Sequence, residues 1–190
     1  MHPRHLSSWL LTGLLLLGTA AGAEPLPQSL SLGAGQLSYS TFLLPSETLT
    51  TLELAYQRAV GGEGFTRALY VGGGLRFAFP TSQTFLPLEA FARTELRAHV
   101  GYWEPAVGLE LGVGGLGRLT TRTRIPAPQW FEKTQELVGR GYLSFVTAPL
   151  RFRLGRWALG GPDLQIGTSA PPVGAAMRLQ FGLARVEVRL

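Results

Sequence analysis

Arginine and glutamate carry almost all the side-chain chemistry of this chain. Among 17 Lys and Arg residues only Lys133 is a lysine, and among 12 acidic residues only Asp163 is an aspartate. Cysteine is absent, so a disulfide framework, a thiolate metal site and a cysteine nucleophile are excluded. Of three histidines, His2 and His5 lie at the extreme N-terminus, and His99 stands alone between Arg97 and Gly101. One histidine and one aspartate offer no metal-ligand cluster. A Ser-His-acid hydrolase needs its serine and histidine side by side, and Ser144, the one serine on a polar strand face, carries no mark of a nucleophile. The expectation is therefore no enzyme activity, no cofactor and no metal, with His99 as one member of a polar network.

The elements that position these groups begin after residue 23. Arg4, an apolar stretch from Leu10 to Gly18 and the small residues Ala21-Gly22-Ala23 read as a secretory signal peptide over residues 1–23, cleaved after Ala23. The apolar core is short for a transmembrane helix. Residues 24–190 then form one domain. The basic balance, with a pI near 10.2, would suit nucleic acid, but an exported chain makes nucleic acid an unsuitable partner.

The exported part has no apolar run long enough for a helix to cross a bilayer, so any crossing must use strands. It does alternate. From Leu86 to Tyr102 one parity holds Leu88, Ala90, Ala92, Thr94, Leu96, Ala98, Val100 and Tyr102, and the other holds Glu89, Phe91, Arg93, Glu95, Arg97 and His99. Successive strand residues face opposite ways, so one face is apolar and the other ionic. The pattern recurs over Thr51–Arg58, Thr66–Phe79, Val107–Val113, Arg140–Phe145, Leu150–Leu154 and Met177–Leu183, with a weaker strand at Leu30–Ser40, which makes eight strands. In the last strand the phase changes between Leu183 and Val186, which requires a bulge or a break.

Two readings of the faces remain open. A soluble barrel would line its interior with Leu52, Leu54, Leu69, Val71, Leu109 and Leu111, as in a periplasmic lipocalin-like protein binding an apolar ligand. A membrane barrel would turn those residues to lipid. Connection lengths favour the second. The expected odd connections, Thr41–Thr48, Pro80–Phe85, Thr120–Lys133 and Leu159–Val173, are long. The even ones, Gly61–Gly64, Trp103–Pro105 and Thr147–Pro149, are short, as in bacterial outer-membrane barrels.

By this pattern of strands, turns and length the chain resembles the small eight-stranded outer-membrane β-barrels typified by the OmpA membrane domain, OmpX and OmpW. The fold class expected is all-β, an eight-stranded antiparallel up-and-down transmembrane β-barrel in the bacterial outer membrane. The lumen would gather Glu53, Arg76, Glu89, Arg93, Glu95, Arg97, His99, Glu110, Arg140, Arg151, Arg153 and Arg178. A barrel of eight strands is only wide enough to be filled by side chains, so these ions must pair. That favours a plugged barrel with a structural or surface-interaction role. Seven arginines against four glutamates also leave a local excess of three positive charges, the basis for an alternative, a narrow anion-preferring pore. Arg122, Arg124, Trp130 and Phe131 surround the stiff Pro126-Ala127-Pro128 and suit a surface-loop contact. The expected partners are outer-membrane lipid and lipopolysaccharide and the outer-membrane assembly machinery, with the barrel monomeric.

Overall fold

A computed structural model describes residues 27–40, 48–60, 68–79, 88–114, 141–170 and 176–190. The strands are β1 (Gln28–Ser40), β2 (Thr48–Ala59), β3 (Leu69–Phe79), β4 (Leu88–Arg97), β5 (Ala106–Gly114), β6 (Gly141–Ala148), β7 (Arg151–Leu154), β8 (Trp157–Gly160), β9 (Asp163–Ser169) and β10 (Met177–Arg189). All named pairings are antiparallel, and β1 pairs with both β2 and β10, which closes the sheet into a barrel.

Ten segments make eight barrel strands. β6 pairs with β9 as far as Thr147–Leu164, and β7 pairs with β8 from Arg151–Gly160 onward. Three residues intervene on each side, so the register is continuous: β6 and β7 are one strand, and β8 and β9 are the next. The ladder stops between them because the middle residues, Pro149 and Pro162, face each other and neither has an N–H to donate.

The barrel matches the expected architecture, but its seventh strand lies elsewhere. Phe152 and Leu154 extend the sixth strand, Gly155-Arg156 forms the turn, and the seventh strand occupies most of the expected Leu159–Val173 connection. The β4–β5 turn is also displaced. Ala98 N donates to Pro105 O at 2.9 Å, and Val100 and Trp103 bond both ways at 2.9 and 3.1 Å, so the hairpin closes on Gly101-Tyr102 rather than on Trp103–Pro105. Both two-residue turns place a glycine at positive φ, 62° at Gly101 and 64° at Gly155, where a side chain would be strained. These turns and the described chain ends share one end of the barrel, the turn end; the other is the loop end. Apart from Thr48, which starts β2, the residues expected in the connections at 41–48, 61–64, 80–85 and 120–133 lie outside the described residues.

A hydrogen-bonded row followed once round the barrel, Leu30–Tyr56–Gly73–Ala92–Leu111–Leu143–Thr168–Met177, returns to β1 at Ser40. The row has climbed from Leu30 to Ser40, toward the loop end. With ordinary strand rise and spacing, that stagger over eight strands means a tilt of about 40°. The phase change expected near Leu183 is a bulge: partners on β1 pass from Ala34–Ala184 to Gly35–Gly182 and leave Leu183 extra.

Candidate functional site: an ionic lumen

Alternation decides which side chains enter the barrel. Glu53 on β2, Arg76 on β3, Glu89, Arg93, Glu95 and Arg97 on β4, Glu110 on β5, Arg151 on β7 and Arg178 on β10 all point inward and are buried. The apolar parity points out: Leu54, Val71, Leu109 and Leu111 are 43, 41, 54 and 58% exposed, with Leu52 and Leu69 half-buried on the same face. This overturns the soluble lipocalin-like reading, since the leucine parity that was to line a cavity forms the outer wall.

Arg76 is the hub of the loop-end half. Its Nη1 lies 2.6 Å from Glu89 and its Nη2 lies 2.6 Å from Glu53 and 2.9 Å from Glu110. Arg76 also donates to Tyr142 Oη at 2.8 Å, and that hydroxyl donates onward to Glu110 at 2.6 Å. Arg93 bridges Glu53 at 2.8 Å and grips Glu110 through both Nε, at 2.6 Å, and Nη2. Arg178 reaches Glu89 at 3.1 Å, Gln180 at 2.8 Å and Gln165 at 3.0 Å. Because a guanidinium presents several donors in a fixed fork, each of these arginines satisfies several acceptors at once, more than one carboxylate for Arg76 and Arg93 and a carboxylate with two amides for Arg178, which a lysine could not do with the same geometry.

A second group continues toward the turn end. Arg97 contacts Glu95 and Glu187, each at 3.0 Å, and donates to Gln57. Arg151 lies 2.6 Å from Glu187, and Arg153, half-buried, lies 2.7 Å from Glu104. Arg185 joins the two groups, at 3.2 Å from Glu53, 3.3 Å from Glu95 and 3.3 Å from Asp163. Rings also take up the cations: Arg97 stacks over Tyr70 and Arg178 over Tyr142, each 3.8 Å from the ring centroid. A continuous run of alternating charge therefore fills the lumen.

His99, expected within a strand of the lumen, sits instead in the β4–β5 connection at the turn-end mouth. Its side chain is 46% exposed, and Nε2 lies 2.8 Å from Glu104 Oε1. Partial burial lowers its pKa; Glu104 opposes this, while Arg153, Arg189 and Arg151 add to the depression, and the net direction is down. Ser144 accepts from Arg178 at 3.4 Å. Arg140, Arg122, Arg124, Trp130 and Phe131 lie outside the described residues.

Four buried charges escaped the sequence reading: Glu104, Asp163, Arg185 and Glu187. Arg185 and Glu187 alternate with Val186 once the parity is reset at Leu183. Asp163 and Gln165 alternate with Leu164 and Ile166 behind the misleading Gly160-Gly161-Pro162. Their inclusion changes the charge balance. Among the described residues the buried acids are Glu53, Glu89, Glu95, Glu104, Glu110, Asp163 and Glu187, against Arg76, Arg93, Arg97, Arg151, Arg178 and Arg185, with Arg153 half-buried beside them. Half-buried Arg189, which donates to Tyr70 Oη at 3.3 Å, makes eight arginines against seven acids, so among the described residues the local excess of three positive charges that supported anion preference falls to one.

The space at inward Gly112 is occupied. At Gly112 an added Cβ would lie 2.4–2.5 Å from the Tyr142 ring, so the missing side chain is the seat of that ring. A void lined by Gly33, Gly35, Glu53, Asp163, Gly182 and Arg185 has room for about one water.

No protein-family model matches the chain, and no curated protein does. Solved structures do. Neisserial surface protein A superposes with a TM-score of 0.56 at 11% identity, over 86% of this chain and 97% of that one. Ail, the attachment invasion locus protein of Yersinia pestis, gives a TM-score of 0.43 at 9% identity, over 88% of this chain and 100% of its own. At such identity the first likeness speaks for the fold alone: the chain has the architecture of a small eight-stranded outer-membrane β-barrel.

Proposed function

We propose that this chain is an integral barrel of the bacterial outer membrane with a structural or surface-interaction role, exported through a leader that ends at Ala23. The observation that carries the reading is its inverted polarity. Arg76, Glu89 and Arg178 are 0% exposed inside while Leu109 and Leu111 are more than half exposed outside, an arrangement that costs stability in water and fits hydrocarbon. A lumen whose ions satisfy one another is a plug, so the barrel works as a rigid, non-enzymatic stave for its loop end. There Arg122, Arg124, Trp130 and Phe131 are the proposed contacts for lipopolysaccharide or a surface partner. The monomer is the expected form, inserted by the outer-membrane assembly machinery.

Fractionation followed by unboiled and boiled gel lanes tests the placement. Recovery in the outer membrane with heat-modifiable migration is expected, and recovery in the soluble periplasm would refute it. Planar bilayers test the plug. A flat current trace is expected, and steady conductance altered in selectivity by Arg93→Glu would replace the plug with a pore.

A further inference from the structure

The outer wall is not equally apolar all round. Along β6, β7 and the two residues that join them, the exposed residues Leu143, Phe145, Pro149, Leu150, Phe152 and Leu154 form a band interrupted only by half-buried Thr147. At the strand rise and tilt derived above this band is about 28 Å tall, close to what a bilayer core requires. On β1 the apolar outward residues run only from Leu30 to Ala34, about 10 Å. Above them Gln36 faces out and Ser38 is half-buried on the same face, and on the paired β2 Thr48 and Thr50 face out.

Polarity is reversed there. Leu37 and Leu49, a directly paired couple, are 0 and 5% exposed and point into the barrel while their polar neighbours point out. Height does not explain the reversal. The row from Leu32 through Leu54, Leu75 and Ala90 reaches Val113 on β5, half a circuit away, and half the stagger sets Val113 level with Leu37. At the height where β1 shows Gln36 and Ser38, β5 therefore shows Leu111 and Val113, 58 and 63% exposed. Nor does tilting the whole barrel explain it, because the band on β1 is short at both ends. The row Leu30–Val188–Trp157–Leu154 descends from β1, and Trp157 and Leu154, both apolar and exposed, lie below the lowest outward leucine of β1.

Resting on the membrane reading above, we infer that the loop-end half of the β1–β2 flank is covered by lipid headgroups, so the hydrocarbon is locally thin beside this pair of strands. The chemistry fits: the patch carries an amide and three hydroxyls and no charge, groups that exchange hydrogen bonds with phosphate, glycerol or sugar. Thr94 on β4 shows the contrast. It faces out within the apolar band, and its hydroxyl turns back to donate to Leu109 O at 3.5 Å.

The chain has no cysteine, so single sites can be spin-labelled cleanly. Gln36→Cys, Thr50→Cys and Leu111→Cys variants of the full chain would be refolded into dimyristoyl phosphatidylcholine vesicles. Their collision rates with a water-soluble nickel chelate and with lipid-soluble oxygen would then be measured. The expected result is that the labels at 36 and 50 meet the nickel chelate while the label at 111 meets oxygen. If all three meet oxygen, the thin flank is wrong and the membrane barrel stands. If the label at 111 meets the nickel chelate, the membrane reading itself falls. Labels at 36 and 50 shielded from both reagents, with spin–spin broadening that vanishes on dilution in lipid, would overturn the headgroup assignment in favour of a second copy of the chain. Ser38→Cys is the substitute if either flank variant fails to refold.

Discussion

At one height on opposite walls, β5 turns Leu111 and Val113 outward over Glu110 and Gly112, while β1 turns Gln36 and Ser38 outward over Leu37. The strands share one sheet, one tilt and one alternation, yet they invert each other. Strand geometry fixes only that faces alternate. Which face is apolar is set by what lies on each side, lipid against an ionic lumen on β5, and headgroups against a leucine pair on β1. The wall thus records its surroundings residue by residue.

The largest break in this comparison comes from emptying the ionic side. Arg76→Ala removes the cation that Glu53, Glu89 and Glu110 share, leaves their buried charge only partly compensated by Arg93, Arg178 and Arg185, and should cost about 3–5 kcal/mol, read by urea unfolding in lipid vesicles; a loss below the resolution of that measurement would mean water already screens the lumen. Next is the outer face. Leu109→Arg in the apolar band should cost about 2–4 kcal/mol, and Gln36→Arg about 0–1 kcal/mol, in the same assay. Equal costs would erase the difference between the two walls. Gly112→Ala drives a methyl into the Tyr142 ring and should cost about 1–3 kcal/mol; a neutral result would show that the ring has room to move, and so that the lumen is loosely filled. The smallest effect is at the mouth. His99 has a depressed pKa in the folded chain, so the unfolded chain binds its proton more readily, and stability is full above the ordinary histidine range and declines as pH falls through it toward the folded value. His99→Gln should flatten that part of the pH–stability curve, and an unchanged slope would assign the effect to other groups.

Much of this was legible in the alternation itself. The inward ions of β2 to β5 follow from parity alone, because each strand there runs without interruption from end to end. Legibility failed where strands break phase. Pro149 and Gly161-Pro162 read as connections because proline ends most strands, yet here the two prolines oppose each other and remove the same rungs from both sides of one ladder. That misplacement hid Asp163, and the bulge at Leu183 hid Arg185 and Glu187. Glu104 was lost in a segment read as a turn, although it lies in the arm of the hairpin. The polar flank was visible as Gln36, Ser38, Thr48 and Thr50, but its meaning required the stagger, which no single strand contains.

The β1–β10 seam bears on how the barrel comes to exist. It pairs residues as distant as Ser29 and Arg189, whereas β2 to β5 pair by local hairpins. Bringing the two ends of the chain together carries the greatest loop-closure entropy in the fold and yields its ladder only on completion, which makes it the natural slow step. Arg185–Glu53 reaches across the seam over β1, Arg97–Glu187 crosses the ring from β4 to β10, and both form only when it is shut. The lumen is thereby also a latch: its ions reward closure and penalise a sheet left open in the membrane.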